Sequence, residues 1–198
     1  MNGKSESFDA FVFARRGELL AIPAVGLAAF GRPSAFSVAL GLPLAFGGEA
    51  IRAWAVGYSG VTTRGNAVEA PALVTAGPYA HVRNPLYVGN FITALGFAVA
   101  FTGKNSDGAR AALLLASLGT MFGVYAVIVP HEEAFLREAF GAPFDEYVAR
   151  VPRVFPSREP AEPQSGSYDP SVIGKAESRT FLTFGVMLAV LALKALKA

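Results

Sequence analysis

Two acidic residues follow a proline and a histidine at the polar end of a long apolar run: Pro130, His131, Glu132 and Glu133. A carboxylate at this position could bind a cationic or hydroxyl-bearing ligand, because an ionised carboxyl group accepts hydrogen bonds from both. The alternative is structural, since proline ends one helix and two carboxylates favour the positive N-terminus of the next. We expect a helix boundary at Pro130.

A second segment, residues 73–89, combines turn-forming residues with hydrogen-bonding and aromatic side chains. Its polar candidates are Tyr79, Arg83, Asn84 and Tyr87. The segment is either a binding site or an ordinary loop with interfacial aromatic residues and a proline at the start of a helix. With 2 histidines and no cysteine in the chain, we expect no metal site.

Charged residues also occur inside or beside apolar stretches. Glu49 and Arg52 lie three residues apart, on one face of a helix, and form either a self-compensating ion pair or part of an intramembrane site. Arg150 and Arg153 flank Val151 and Pro152, where they could face a ligand or simply lipid phosphate.

The composition favours a membrane protein. Of 198 residues, 53% are hydrophobic and only 16% are charged, whereas soluble domains carry about 25% charged residues. A net charge of +2 is too small to indicate nucleic-acid binding. We predict an all-α, polytopic helical bundle with five spans, at residues 11–31, 33–58, 86–102, 111–129 and 181–196. Charged residues interrupt the first segment, which we interpret as a retained span and not as a cleaved signal peptide.

Short helices and a linker should connect these spans. Apolar residues recur at helical spacing in 135–140 and 144–151, which predicts two short amphipathic cytoplasmic helices separated by Gly141. Residues 157–178 are rich in Pro, Ser, Gly and charge, which is typical of a linker. We treat residues 1–198 as one domain with a motif core at 48–156, this linker, and an additional span at 179–197.

Positive charges predict the orientation in the membrane. With five spans, 12 of the 17 lysines and arginines, Arg64 among them, lie on the side of the long polar segments. Because basic residues favour the cytoplasmic side, we expect a multi-pass protein of a bacterial inner membrane whose site faces the cytoplasm.

The ordered set of these strings resembles a known family. In order along the chain, it is similar to the membrane methyltransferases related to isoprenylcysteine carboxyl methyltransferase and the phospholipid N-methyltransferases. The matching strings are the glycine and charged residues of 48–52, the run 73–75 through 83–89, the pattern Glu132-Glu133-x-x-Leu136, and the aromatic and arginine positions of 140–152. The resemblance covers about residues 48–156.

The resemblance implies that the chain uses S-adenosylmethionine as methyl donor. It also implies a set of cofactor-binding residues, namely Pro71, Ala72, Leu73, Val74, Tyr79, Asn84, Pro85, Leu86, Tyr87 and Glu132. On the same basis, Arg83, Glu133 and Arg150 are the candidate catalytic residues, and Glu49 and Arg52 are candidates for binding the substrate.

Departures from the family pattern bear on the acceptor. Asn84 stands where relatives commonly have histidine, so a histidine acid or base is not available there. Ile128 stands where the prenylcysteine enzymes carry an arginine implicated in substrate handling. We therefore expect an amphipathic membrane acceptor other than prenylcysteine, with the oligomeric state left open. Two alternatives remain, a sterol-type reductase that binds NADPH and a non-enzymatic membrane scaffold.

Overall fold

The computed structural model describes residues 2–60 and 71–197, without the side chains of residues 2–7, 9 and 10. Arg64, like the rest of residues 61–70, lies outside the described residues. Helices account for 77% of the described residues, and no strand occurs among them. The all-α prediction is confirmed.

The regular secondary structure of the described part of the chain consists of α-helices and short 3₁₀ turns. The helices are α1 (Asn2–Phe30), α2 (Ala35–Ser59), α3 (Pro85–Phe101), α4 (Asp107–Phe140), α5 (Ala142–Arg150), α6 (Ile173–Ala176) and α7 (Ser178–Leu196), with 3₁₀ turns at Gly77–Ala80 and Pro170–Val172. Each predicted span coincides with one of α1, α2, α3, α4 and α7, to within a few residues or inside a longer helix. By length and composition, α4 and α7 can cross a membrane, and α3 is apolar but has only 17 residues.

The predicted helix boundary at Pro130 is wrong. Pro130 lies inside α4, which continues to Phe140, so the first of the two predicted amphipathic helices is the polar end of α4. Proline removes one main-chain hydrogen bond but leaves the helix on either side intact, and membrane helices tolerate this because neighbouring groups satisfy the freed carbonyl. The second amphipathic helix is α5, and Gly141 separates it from α4 as expected.

The chain divides into two compact units. The first comprises Met1–Gly48, Phe91–Ile128 and Phe181–Ala198. Its core is apolar, and Phe97 and Phe184 meet edge to face with ring centroids 5.1 Å apart. A Cβ atom at Gly41 would overlap the carbonyl oxygen of Gly96. Such close backbone approach through small residues is how helices pack in lipid, where burial of apolar side chains contributes little.

The second unit comprises Glu49–Asn90 and Val129–Thr180. It contains α5, whose buried Phe144 and Tyr147 pack with Val151 in a small apolar cluster. The predicted linker also belongs to this unit, and it includes the turn at Pro170–Val172 and the short helix α6. Every predicted site residue lies in this unit.

Candidate functional site

The loop between α2 and α3 carries most of the predicted cofactor-binding residues. Pro71 and Ala72 are exposed, whereas Leu73 and Val74 are half-buried. The loop ends at Asn84, whose carbonyl oxygen accepts hydrogen bonds from the main-chain N–H groups of Tyr87 and Val88 and so starts α3. Pro85 and Leu86 form the first turn of α3, where proline is favoured because its missing N–H would have no helical partner.

Two residues predicted to bind the cofactor contact each other across helices. The phenol of Tyr87, on α3, donates to Oε1 of Glu132, on α4, over 2.7 Å. Both side chains are half-buried. The hydrogen bond fixes the orientation of the carboxylate, and an ionised carboxylate can accept several further hydrogen bonds.

Tyr79 is close enough to Glu132 to interact with it electrostatically. Its phenol shares a hydrogen bond with the Ser59 side chain, and it interacts electrostatically with Glu132, Arg52 and Glu177. Burial raises the pKa of Tyr79 to about 12, and the two carboxylates add to this rise. The phenol is therefore a neutral hydrogen-bonding group at physiological pH.

The main chain at Tyr79 is fixed from a different element. The phenol of Tyr147, on α5, donates to the carbonyl oxygen of Tyr79 over 2.8 Å. This contact links α5 to the loop between α2 and α3, which we call the motif loop, and so supports the position of Tyr79.

Glu133, the neighbour of Glu132, is held by two arginines. Nε of Arg83 donates to Oε1 over 3.0 Å, and Nη2 of Arg153 donates to Oε2 over 2.5 Å. Asn84 adds a longer hydrogen bond of 3.4 Å to Oε1. Because both oxygens already accept from guanidinium groups, Glu133 is kept ionised and is a poor proton acceptor.

Arg83 also binds the main chain at the C-terminal end of α5. Its Nη1 donates to the carbonyl oxygens of Val148 and Val151, over 3.2 and 2.5 Å. Arg83 and Glu133 thus join the start of α3, the polar end of α4 and the end of α5. This arrangement positions elements of the site.

Arg150, the third predicted catalytic residue, has a different environment. Its side chain is exposed and donates to the carbonyl oxygens of Glu146 and Glu162. Among the described residues, the hydrogen bonds of Arg150 go to these two carbonyl oxygens. Arg150 is therefore not brought to the Arg83–Glu133 pair.

The predicted pair of Glu49 and Arg52 belongs to a larger buried cluster. Nε of Arg52 lies 3.8 Å from Oε2 of Glu49, and Nη2 of Arg52 donates to both oxygens of Glu177 over 2.9 and 2.8 Å. Arg52 also donates to Oδ1 of Asn90 and, over 3.5 Å, to Oγ1 of Thr180. The carboxylates of Glu49 and Glu177 thus both lie against the guanidinium of Arg52.

Asn90 and Glu177 take part in these networks but are not predicted from the sequence. Arg153 is predicted only to face a ligand or lipid phosphate, and not to pair with Glu133. Signals for the other two existed, since Asn90 is a polar residue in an apolar helix and Glu177 stands directly before an apolar span. Their partners, however, are 38 and 125 residues away along the chain, beyond any local pattern.

Groups of three or more His, Asp or Glu side chains able to hold a metal ion do not occur in the described ranges. The polar network instead consists of arginine–carboxylate and tyrosine–carboxylate pairs. The protein therefore belongs to a class of all-helical membrane proteins that have such a polar network and such a loop.

Comparison with known proteins identifies that class. The phospholipid methyltransferase family profile matches residues 36–143, more than half of the chain. The chain belongs to the phospholipid methyltransferase family. The resemblance inferred from the sequence motifs is confirmed.

Individual relatives match a shorter stretch of 84 residues. The chain is 38% identical to protein-S-isoprenylcysteine O-methyltransferase of Schizosaccharomyces pombe, over 42% of this chain and 33% of the relative. It is 39% identical to the cobalt-zinc-cadmium resistance protein CzcN of Cupriavidus metallidurans, over 42% and 35%. It is 34% identical to the nickel-cobalt-cadmium resistance protein NccN of Alcaligenes xylosoxydans xylosoxydans, over 42% and 36%. The matched stretch thus spans about a third of the length of these curated relatives.

Proposed function

We propose that the chain is an S-adenosylmethionine-dependent methyltransferase that acts on a membrane-embedded amphipathic acceptor. The observation that carries the proposal is the Tyr87–Glu132 hydrogen bond beside Tyr79, formed by the motif residues that the family resemblance assigns to the cofactor. Family membership and the S. pombe relative support the same reaction class.

The chemistry of these residues fits the cofactor. S-adenosylmethionine would supply a methyl group already activated on a sulfonium. Glu132 can accept hydrogen bonds from ribose hydroxyls or an amino group, and the rings of Tyr79 and Tyr87 offer faces for adenine.

Little else is required of the protein, because methyl transfer from a sulfonium needs no protein nucleophile. Holding two reactants in the right orientation can be worth roughly 7–11 kcal/mol. We propose that Arg83 and Glu133 act by fixing the segments that carry the cofactor residues. A base role for Glu133 is disfavoured, since its two oxygens are bound by Arg83 and Arg153.

The acceptor follows from charge. The buried side chain of Ile128 is uncharged, so the position where prenylcysteine enzymes carry an arginine supplies no cation here. A buried carboxylate acceptor without a cationic partner would be unfavourable. We propose a neutral or amine-headed acceptor, and expect weak turnover of N-acetyl-farnesylcysteine that improves in Ile128→Arg. Efficient turnover by the wild type, unchanged in the variant, would contradict this specificity.

We further propose that α1, α2, α3, α4 and α7 all cross the membrane and that the polar segments face the cytoplasm of a bacterial cell. At 1.5 Å per residue, α4 is about 51 Å long, which exceeds the roughly 30 Å hydrocarbon core, so its polar end would lie outside.

The chain has no cysteine, so single cysteines can report this orientation. Ser106 and Ser167 are both exposed and belong to opposite sides in the proposed topology. In intact cells, an impermeant thiol reagent should label Ser106→Cys and leave Ser167→Cys unlabelled. Labelling of Ser167→Cys alone would indicate the opposite orientation.

Ligand binding separates the proposal from its two alternatives. Detergent-solubilised protein should be stabilised against heat by S-adenosylhomocysteine and not by NADPH. Stabilisation by NADPH alone would favour a reductase, and stabilisation by neither would favour a scaffold. Incubation of lipid extracts with labelled S-adenosylmethionine, followed by mass identification of the product, would then identify the acceptor.

A further inference from the structure

The segment after α5 returns along the motif loop. We call residues 153–169 the return segment; it lies beyond residues 36–143, which match the family profile. Its main-chain N–H groups at Ser157 and Ala161 donate to the carbonyl oxygens of His81 and Ala80, each over 2.9 Å. Further along, its residue Ser165 contacts Thr75. The two stretches therefore run antiparallel, side by side.

The contact at Ser165 is reciprocal. The carbonyl oxygen of Ser165 accepts from the N–H groups of Thr75 and Ala76 over 2.8 and 3.1 Å. In return, the N–H of Ser165 donates to Oγ1 of Thr75 over 2.8 Å. Thr75 is buried, so any of these groups left without a partner would be costly.

Gly166 lets the return segment approach the loop this closely. Its φ of 117° is a conformation that residues with a side chain rarely adopt. A Cβ atom there would also lie 3.2 Å from Cγ1 of Val74, one of the predicted cofactor-binding residues. The next residues reach α2, where the N–H of Asp169 donates to the carbonyl oxygen of Gly57 over 2.8 Å.

Both ends of this stretch are fastened by ion pairs. Arg153 binds Glu133 at the beginning. Soon after the end, Glu177 binds Arg52 at 2.8 Å, with only 1% of the Glu177 residue exposed. A segment held at both ends and along its length is a fixed part of the unit.

We propose that the return segment supports the cofactor site from behind the motif loop. In this role, Thr75 and Gly166 are positioning residues for the part of the loop that carries Leu73, Val74 and Tyr79. The inference rests on the proposed function. It assigns to a part of the chain outside the matched family region a role in cofactor binding.

The test compares two pairs of variants. Gly166→Ala should force the segment away from Val74, whereas Gly174→Ala is the matched control, since a Cβ at Gly174 would meet nothing within 4 Å. Thr75→Val removes the hydroxyl oxygen that accepts from the Ser165 N–H, whereas Thr75→Ser keeps it. The readouts are the Kd for S-adenosylhomocysteine by calorimetry, the thermal midpoint, and kcat with labelled cofactor at saturation on a lipid extract.

We expect Gly166→Ala and Thr75→Val to raise the Kd about tenfold, as loss of a buried hydrogen bond or enforced strain would. Their kcat at saturating cofactor should stay within about twofold of wild type, because orientation is regained once the cofactor is bound. Gly174→Ala and Thr75→Ser should bind like the wild type. If Gly166→Ala does not fold, the Thr75 pair still decides.

Two results would overturn the proposal. The first is an unchanged Kd in Gly166→Ala and Thr75→Val, whether or not the thermal midpoint falls, which would leave the return segment without a role in cofactor binding. The second is a wild-type protein that does not bind S-adenosylhomocysteine, which would overturn the proposed function together with this inference. The wild-type titration thus distinguishes the two failures.

Discussion

Different interactions stabilise the interior of each of the two units. In the first, Phe97 packs against Phe184, and Gly41 and Gly96 allow their backbones to touch. In the second, buried carboxylates such as Glu133 and Glu177 are bound by arginines. Apolar packing needs only matching shapes, whereas charges at a membrane are costly and persist where they have a role. This difference is the reason that we propose the second unit as the one that carries the function.

Removal of a buried charge partner should have the largest effect. Glu177→Gln leaves Arg52 without its closest carboxylate, and breaking a buried ion pair typically costs about 3–5 kcal/mol. We expect a marked fall in the thermal midpoint of the detergent-solubilised protein.

The matched control is the exposed pair of the first unit, in which Arg15 lies 2.8 Å from Glu18. Exposed pairs contribute about 0–1 kcal/mol, so Glu18→Gln should change the midpoint little. Equal effects of Glu177→Gln and Glu18→Gln would show that the buried cluster contributes no more than a surface pair.

Adjacent glutamates should separate binding from stability. Glu132→Gln should weaken S-adenosylhomocysteine binding by about 1.5–3 kcal/mol, the range for a hydrogen bond to a charged group, with little change in the thermal midpoint. Glu133→Gln should lower the midpoint, because Arg83 and Arg153 lose their partner, and should weaken binding less. The same small effect of both changes on calorimetric affinity would leave Glu132 without a binding role.

The first unit should respond to volume instead of charge. A Cβ atom at Gly96 would overlap the main-chain nitrogen of Ala45, and backbone cannot move aside as a flexible side chain can. Gly96→Ala should therefore destabilise the protein by about 1–3 kcal/mol, as overpacking does. Gly26→Ala, where a Cβ atom would meet nothing within 4 Å, is the control and should be tolerated. Similar thermal midpoints for the two variants would contradict close packing at Gly96.

The smallest effect concerns pH. A free tyrosine titrates near pH 10, and burial raises the pKa of Tyr79 to about 12. The folded state thus retains this proton, and the associated stability is present below about pH 10 and is lost as pH rises through about 12. The tyrosinate absorbance of the wild type minus that of Tyr79→Phe should show no step near pH 10. The same difference measured in denaturant should show one, and a step at pH 10 in the folded protein would contradict burial of the phenol.

Local patterns predicted the helices and most of the motif loop. Apolar runs located α2, α3 and α7 closely, because a helix at a membrane needs many consecutive apolar residues. Pro130 misled the prediction, since proline ends helices in water more readily than in a membrane protein, where other groups satisfy the freed carbonyl. The spacing of Glu49 and Arg52 correctly indicated a shared helix face.

Long-range pairs could not be predicted in the same way. The carboxylate closest to Arg52 is Glu177, and Thr75 is bound by Ser165, 90 residues along the chain. The composition of residues 157–178 predicted a linker, and these residues do lack long helices. Hydrogen bonds to the main chain leave no side-chain pattern, so the close contact of this segment with the motif loop was invisible in the sequence.

The central claim is that the second unit binds the methyl donor, and cross-linking tests it most directly. Ultraviolet irradiation of the solubilised protein with radiolabelled S-adenosylmethionine, followed by proteolysis and peptide mapping, locates the bound cofactor. We predict label on peptides from residues 71–90 and 129–136, abolished by excess S-adenosylhomocysteine and reduced in Glu132→Gln. Label confined to residues 1–48 or 91–128, or label that persists with the competitor, would contradict the claim.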